Sequence, residues 1–167
     1  QTVTIEDDLF GFRVNKGEQW IFEVNASRNK SLLDSKIEIL DEKGLPVPRV
    51  LLRSIRDSRI EFRSVSSSAR GFRFANYDET SLDEYLYVNG EVLKHFRQRR
   101  GPDSDSLFYP ETGARHGYFD TTPRSHPLGQ VAYVVKPYPV GTVLPDNGLP
   151  AFTVNYENDD ASNRKLG

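Results

Sequence analysis

Glu84–Phe96 reads EYLYVNGEVLKHF, and this stretch decides the fold class. Two strand-like runs flank Asn89-Gly90. A two-residue type I′ turn needs left-handed backbone at both central positions, and Asn followed by Gly supplies it with little strain. The stretch therefore predicts an antiparallel hairpin over 85–96, with Tyr85 and Tyr87 on one side of its first arm.

Period two continues outward in both directions. In FGFRV, Phe10, Phe12 and Val14 alternate with Gly11 and Arg13; NKGE (15–18) turns the chain, and WIFEV places Trp20, Phe22 and Val24 together. This predicts a hairpin over 10–24 with Phe12, Trp20 and Phe22 buried. KIEIL closes on the turn DEKG (41–44), and RIEFR sets Ile60 and Phe62 on one face against Arg59, Glu61 and Arg63. QVAYVV and AFTVNY are later strands. A short capped turn in DETSLDEYL is the main sign of helix, while ten Pro and twelve Gly punctuate the chain at intervals suited to short strands. The expected fold is all-β, an antiparallel, jelly-roll-like β-sandwich with little helix.

Composition narrows the function. The 167 residues carry a net charge of −2, so no global field favours nucleic acid or an anionic membrane. No apolar run approaches the ~18 residues of a transmembrane helix. Cysteine is absent, which excludes disulfides, thiolate catalysis and Cys-ligated metal centres. NAS (25–27) and NKS (29–31) have the form of glycosylation sequons, which matter only in a eukaryotic secretory host. The chain starts at Gln1 and contains no Met, so a processed or excised piece is expected.

The middle of the chain is distinct. Residues 64–148 hold all three His, seven of the eight Tyr and long irregular stretches such as RGPDSDSLFYPETGARHGYFDTTPRSHPLG. Loops of that length inside a compact domain are functional or belong to an insertion with its own packing. The expected organisation is 1–63 as a first half-sandwich, 64–148 as an aromatic-rich insertion that packs into the globule, and 149–167 as a return strand with an acidic ending.

DLFGFRVNKGEQWIFEVNASRNKSLLDSKIEILDEKG (8–44) resembles the bacterial pre-peptidase C-terminal domain of large secreted proteins of planctomycete type. The resemblance rests on Asp8, Phe10, Phe12, Lys16, Gly17, Glu23, Val24, Arg28, Ser31, Leu33, Asp34, Leu40, Asp41 and Gly44. ENDDASNRKLG (157–167) resembles the family's Asn-Asp-Asp loop but stops before the strands that follow it there. DEYLYVNGEV, RGPDS and LPAF resemble landmarks of a long insertion in planctomycete relatives. The resemblance implies a non-catalytic accessory module of a larger polypeptide, extracellular or periplasmic, whose relatives in some cases bind calcium or polymeric substrates. It also implies a chain cut inside a motif, with 151–156 paired on at least one side and an unfinished sheet edge beyond it.

Three sets of residues carry candidate chemistry. Calcium needs six to eight hard oxygen ligands. Glu157, Asn158, Asp159 and Asp160, with Asp34 as a distant contributor, offer part of such a shell; the alternative is a solvated turn. Tyr85, Tyr87, Tyr109 and Tyr118 with Arg97 and Arg99 form a candidate surface for polysaccharide or protein, since rings beside guanidinium groups bind by stacking and charge. The alternative there is Tyr packed beneath Arg stems on a solvated face. Trp20 is a candidate sugar platform, but its phase with Phe22 and Val24 assigns it to the core. His95, His116 and His126 lack metal-ligand spacing, and there is no nucleophile elbow, so an enzyme is not expected.

Overall fold

A computed structural model describes residues 8–25, 29, 35–62, 64–69, 71–98, 106–108 and 117–159. The chain divides into two compact units, Gln1–Leu33 and Asp34–Gly167. The boundaries expected near residues 63 and 148 both fall inside the second.

In the first unit the turn forms where NKGE places it. Gly17 has φ +93°, the Glu18 amide donates to the Asn15 carbonyl, and the Glu18 carboxylate accepts from the Asn15 side chain. Burial of the aromatic face, however, does not follow. Neither arm is a strand, and Phe12, Trp20 and Phe22 are 47%, 53% and 44% exposed. The alternation does gather the rings, with Phe12 centred 5.8 Å from Trp20 and 4.8 Å from Phe22. Three rings meeting in one layer cover each other only in part, and among the described residues of this unit no strand is added to bury them.

The second unit is all-β and antiparallel. Its strands are β1 (Lys36–Glu38), β2 (Pro48–Arg59), β3 (Gly71–Phe72), β4 (Tyr85–Val88), β5 (Glu91–Lys94), β6 (Ser106–Leu107), β7 (Val131–Tyr138), β8 (Ala151–Asn155) and β9 (Glu157–Asp159). A five-stranded sheet runs β5-β4-β7-β2-β8, and β1-β9 and β3-β6 form two-stranded ribbons. The β4–β5 hairpin turns at Asn89 (φ 46°) and Gly90 (φ 86°), as Asn-Gly requires, and the ladder continues to His95, whose amide donates to the Glu84 carbonyl. Residues 64–148 are no appendage, because β5, β4 and β7 make up more than half of the sheet.

The longest strand, β2, carries a bulge between Ser54 and Arg56. After a register shift between Pro48 and Val50, its even residues up to the bulge share a face with Val135; past the bulge they share the opposite face, with Val134 and Ala132. On that second face Leu86, Val88, Leu93, Ala132 and Val134 pack against Ile60, Val65, Phe72, Phe74 and Phe108. The first face gathers Val50, Leu52, Val92, Val135 and Val154. RIEFR is a strand only at its start. Ile60 is buried beside Phe74, but Phe62 is 46% exposed beneath the Arg73 guanidinium, because β2 ends at Arg59.

AFTVNY is paired on one side, β8 against β2. The acidic stretch after it departs from expectation. Glu157–Asp159 is a strand, in register with Glu38–Lys36, not a loop. The register sets Glu38 opposite Glu157, and the Lys36 ammonium, 3.5 Å from the Glu157 carboxylate and also in contact with Glu38, offsets the repulsion of these like charges.

His95 sits in the core against Phe74 and Phe108, with Nδ1–H donating to the Ser81 carbonyl at 3.1 Å. Burial lowers its pKa from 6.5, against smaller opposing effects of the Ser81 and Arg97 backbones and the Glu84 carboxylate. The unfolded ring therefore takes up a proton that the buried ring refuses. Stability conferred by this site is complete above pH 6.5 and falls as pH drops below it, by at most about 1.4 kcal/mol per pH unit. Urea melts of wild type and His95→Gln from pH 7 downward check this. The variant should lose less stability between pH 6.5 and 5 than wild type, and parallel curves would refute it.

Candidate functional site

The first face of the sheet is the candidate site, because the sheet curls around it. β7 and β2 stand between β4 and β8, which would put a flat sheet's β4 and β8 about 14 Å apart. Instead the Tyr87 ring of β4 stacks on the Phe152 ring of β8, with centroids 4.0 Å apart and planes 20° apart. Tyr133 of β7 closes the group, 5.4 Å from Phe152. Period two delivers these rings to one side, since Tyr87 and Tyr133 are direct cross-strand partners.

A cleft of about 330 Å³ opens here, lined by Tyr87, Asn89, Gln130, Val131, Tyr133 and Phe152. It lies at the end of the sheet where the β4–β5 turn meets the start of β7. Burial raises the Tyr87 pKa, with the Gly90 backbone and Arg124 opposing and Glu157 adding to it. The hydroxyl thus stays a neutral donor and acceptor in the physiological range.

Behind the cleft lies a sealed polar contact. Glu91 and His126 are fully buried, with His126 Nε2–H donating to Glu91 Oε2 at 2.7 Å. The same oxygen accepts from the Arg124 amide at 3.0 Å. His126 Nδ1 lies 3.1 Å from Gln130 Oε1, so the pair reaches a residue of the cleft wall. His126 is fixed further by two backbone bonds with Val65 and by the Phe72 ring.

A strained loop flanks this group. Phe119 and Asp120 both have left-handed backbone, at φ 56° and 60°, although neither is Gly. Such residues persist only where surroundings hold them. Here the Arg49 guanidinium pairs with Asp120, and the Thr121 hydroxyl donates to the Tyr118 carbonyl while accepting from the Val92 amide. Tyr118 and Phe119 then close on Tyr85, at 5.5 and 5.3 Å.

The candidate surface residues are thus only partly united. Tyr85, Tyr87 and Tyr118 share the concave face. Arg97 is exposed beyond β5, and Arg99 and Tyr109 lie outside the described residues. Sequence reasoning missed Tyr133, Phe152, Asn89 and Gln130. Tyr133 was open to discovery as the ring in phase within QVAYVV; Phe152 was not, since only the curl brings it in. Among the candidate metal ligands, Glu157, Asn158 and Asp159 lie in β9, and Asp34 and Asp160 lie outside the described residues. No group of three or more His, Cys, Asp or Glu placed to hold a metal occurs among the described residues.

No family model matches the chain, and neither a curated protein nor a solved structure is significantly similar to it.

Proposed function

We propose that this chain is a non-catalytic binding module of a larger secreted bacterial protein, extracellular or periplasmic, of the kind its first forty-four residues resemble. The observation that carries the reading is the concave aromatic face. Tyr87, Tyr133 and Phe152 are half-buried rings gathered with two carboxamides in one cleft, a combination suited to holding a ligand. Supporting it, the contact of the buried imidazole with a carboxylate is sealed from solvent, which suits a scaffold better than a reacting group.

Retention on insoluble polysaccharide and bacterial envelope fractions tests the reading. Wild type is expected to sediment with at least one fraction, and Tyr87→Ala/Tyr133→Ala to lose at least about 10-fold in affinity, given the ring area removed from the contact. Retention by no fraction, or equal retention of the double variant, would overturn it.

A further inference from the structure

Gln130 stands where the buried network meets the cleft. A glutamine on a surface turns its carboxamide freely, so either end can face a ligand. Here one end is taken. Gln130 Oε1 faces His126 Nδ1 at 3.1 Å, and the opposite ring nitrogen is anchored on Glu91, itself inaccessible and holding the Arg124 amide. The Gln130 backbone is also tied down: its carbonyl accepts from the Ile60 amide, and its amide donates to the Pro127 carbonyl. The Nε2 hydrogens are thereby left as the free end of a carboxamide whose plane is set from within the core.

The chemistry around that end selects the ligand. The lining residues carry no ionised side chain: three rings, one valine and two carboxamides. Charges nearby come in opposite pairs. Arg124 and Glu157 both act on Tyr87, and Asp57 and Arg59 are cross-strand neighbours of Tyr133 and Val131. Such a cleft has little net field to draw an anion or a cation, but it offers apolar ring surfaces beside donors and acceptors. A sugar ring presents that complement, with axial C–H groups for a stacking face and hydroxyls around its edge. A volume of about 330 Å³ is at the small end for ligand pockets, suiting one or two sugar rings of a longer chain.

We infer that the cleft binds an uncharged saccharide, that Gln130 donates from Nε2–H to one of its hydroxyl oxygens, and that the buried Glu91–His126 pair is the positioning element for that donor. The inference rests on the binding-module reading and gives it a ligand class and a reading residue.

The test is NMR titration of the uniformly labelled chain with hexasaccharides of glucose, xylose, mannose and N-acetylglucosamine. At least one should shift both the Tyr87 and Tyr133 ring signals and the Gln130 side-chain amide. Gln130→Glu keeps an oxygen for His126 but removes the donor. It should weaken that sugar about 10-fold while the melting temperature and the ring shifts persist. Glu91→Gln, which keeps an acceptor but loosens the anchor, should weaken binding and reduce the Gln130 amide shift while ring shifts remain. A merely structural role would not split those two signals. Unchanged affinity in Gln130→Glu would overturn the donor assignment, and an unchanged Gln130 shift in Glu91→Gln the positioning role. If none of the hexasaccharides shifts the cleft, the saccharide is refuted. The binding-module reading then still stands or falls on its own sedimentation result, as it does if only a peptide or a charged glycan binds.

Discussion

Glu91→Ala should destabilise the chain by about 3–5 kcal/mol, the cost of leaving one partner of a buried, hydrogen-bonded pair alone. The carboxylate is fully buried at the start of β5 and accepts from both His126 Nε2–H and the Arg124 amide. Alanine leaves both donors in the interior without that acceptor, and opens a space where the side chain was. Removing the imidazole as well, in Glu91→Ala/His126→Phe, should cost less than the sum of the two single changes, since no unpaired group of the pair then remains buried. Urea unfolding of the four proteins completes the cycle. Additive losses, or a loss under about 1 kcal/mol for Glu91→Ala, would show that the pair is not a unit.

Gly117→Ala is expected to cost about 2–4 kcal/mol and to lower the melting temperature by roughly 5–15 °C. The reason is steric. A Cβ at Gly117 would lie 1.8 Å from the Thr121 carbonyl oxygen and 2.4 Å from its hydroxyl. Backbone cannot swing aside as a long side chain does, and Thr121 is held in place by the Val92 amide. Relief therefore means moving the loop that carries Tyr118 and Phe119, so their contacts with Tyr85 should loosen too. Calorimetry reads the first effect, and near-ultraviolet circular dichroism the second. A variant as stable as wild type with an unchanged aromatic spectrum would contradict the packing described for this loop.

Legibility in the sequence followed the range of the interaction. The β4–β5 hairpin was readable because everything that makes it lies within thirteen residues: alternation, Asn89 and Gly90. β7 and β8 were readable for the same reason. β2, the longest strand, was not singled out. Its bulge breaks the alternation midway, and Arg49, Arg53, Arg56 and Arg59 recur at three- and four-residue intervals that blur a period of two. The acidic ending looked like a turn because its partner, Lys36–Glu38, lies more than a hundred residues earlier. In the first unit, alternation correctly put three rings on one side, but burial depends on a covering layer, which alternation does not supply.

The site was half visible. Tyr85 and Tyr87 were placed together from their spacing alone. Their companions required the sheet to curl, and curl is a property of five strands together. Glu91 and His126 carry no local mark either, being thirty-five residues apart, one in a hairpin arm and the other in a Pro-flanked connection.

The bulge in β2 also bears on how this chain can change over generations. Val50, Leu52 and Ser54 look to one side, while Arg56, Ser58 and Ile60 look to the other, and one extra residue makes the exchange. Losing Ile55 would restore alternation from Val50 onward and turn one half of the strand inside out, sending either Val50 and Leu52 or Ile60 toward the wrong neighbours. Exposed positions of β2 can drift singly, but its length cannot. Related chains, whatever their composition, should therefore show gaps on either side of this segment and none within it.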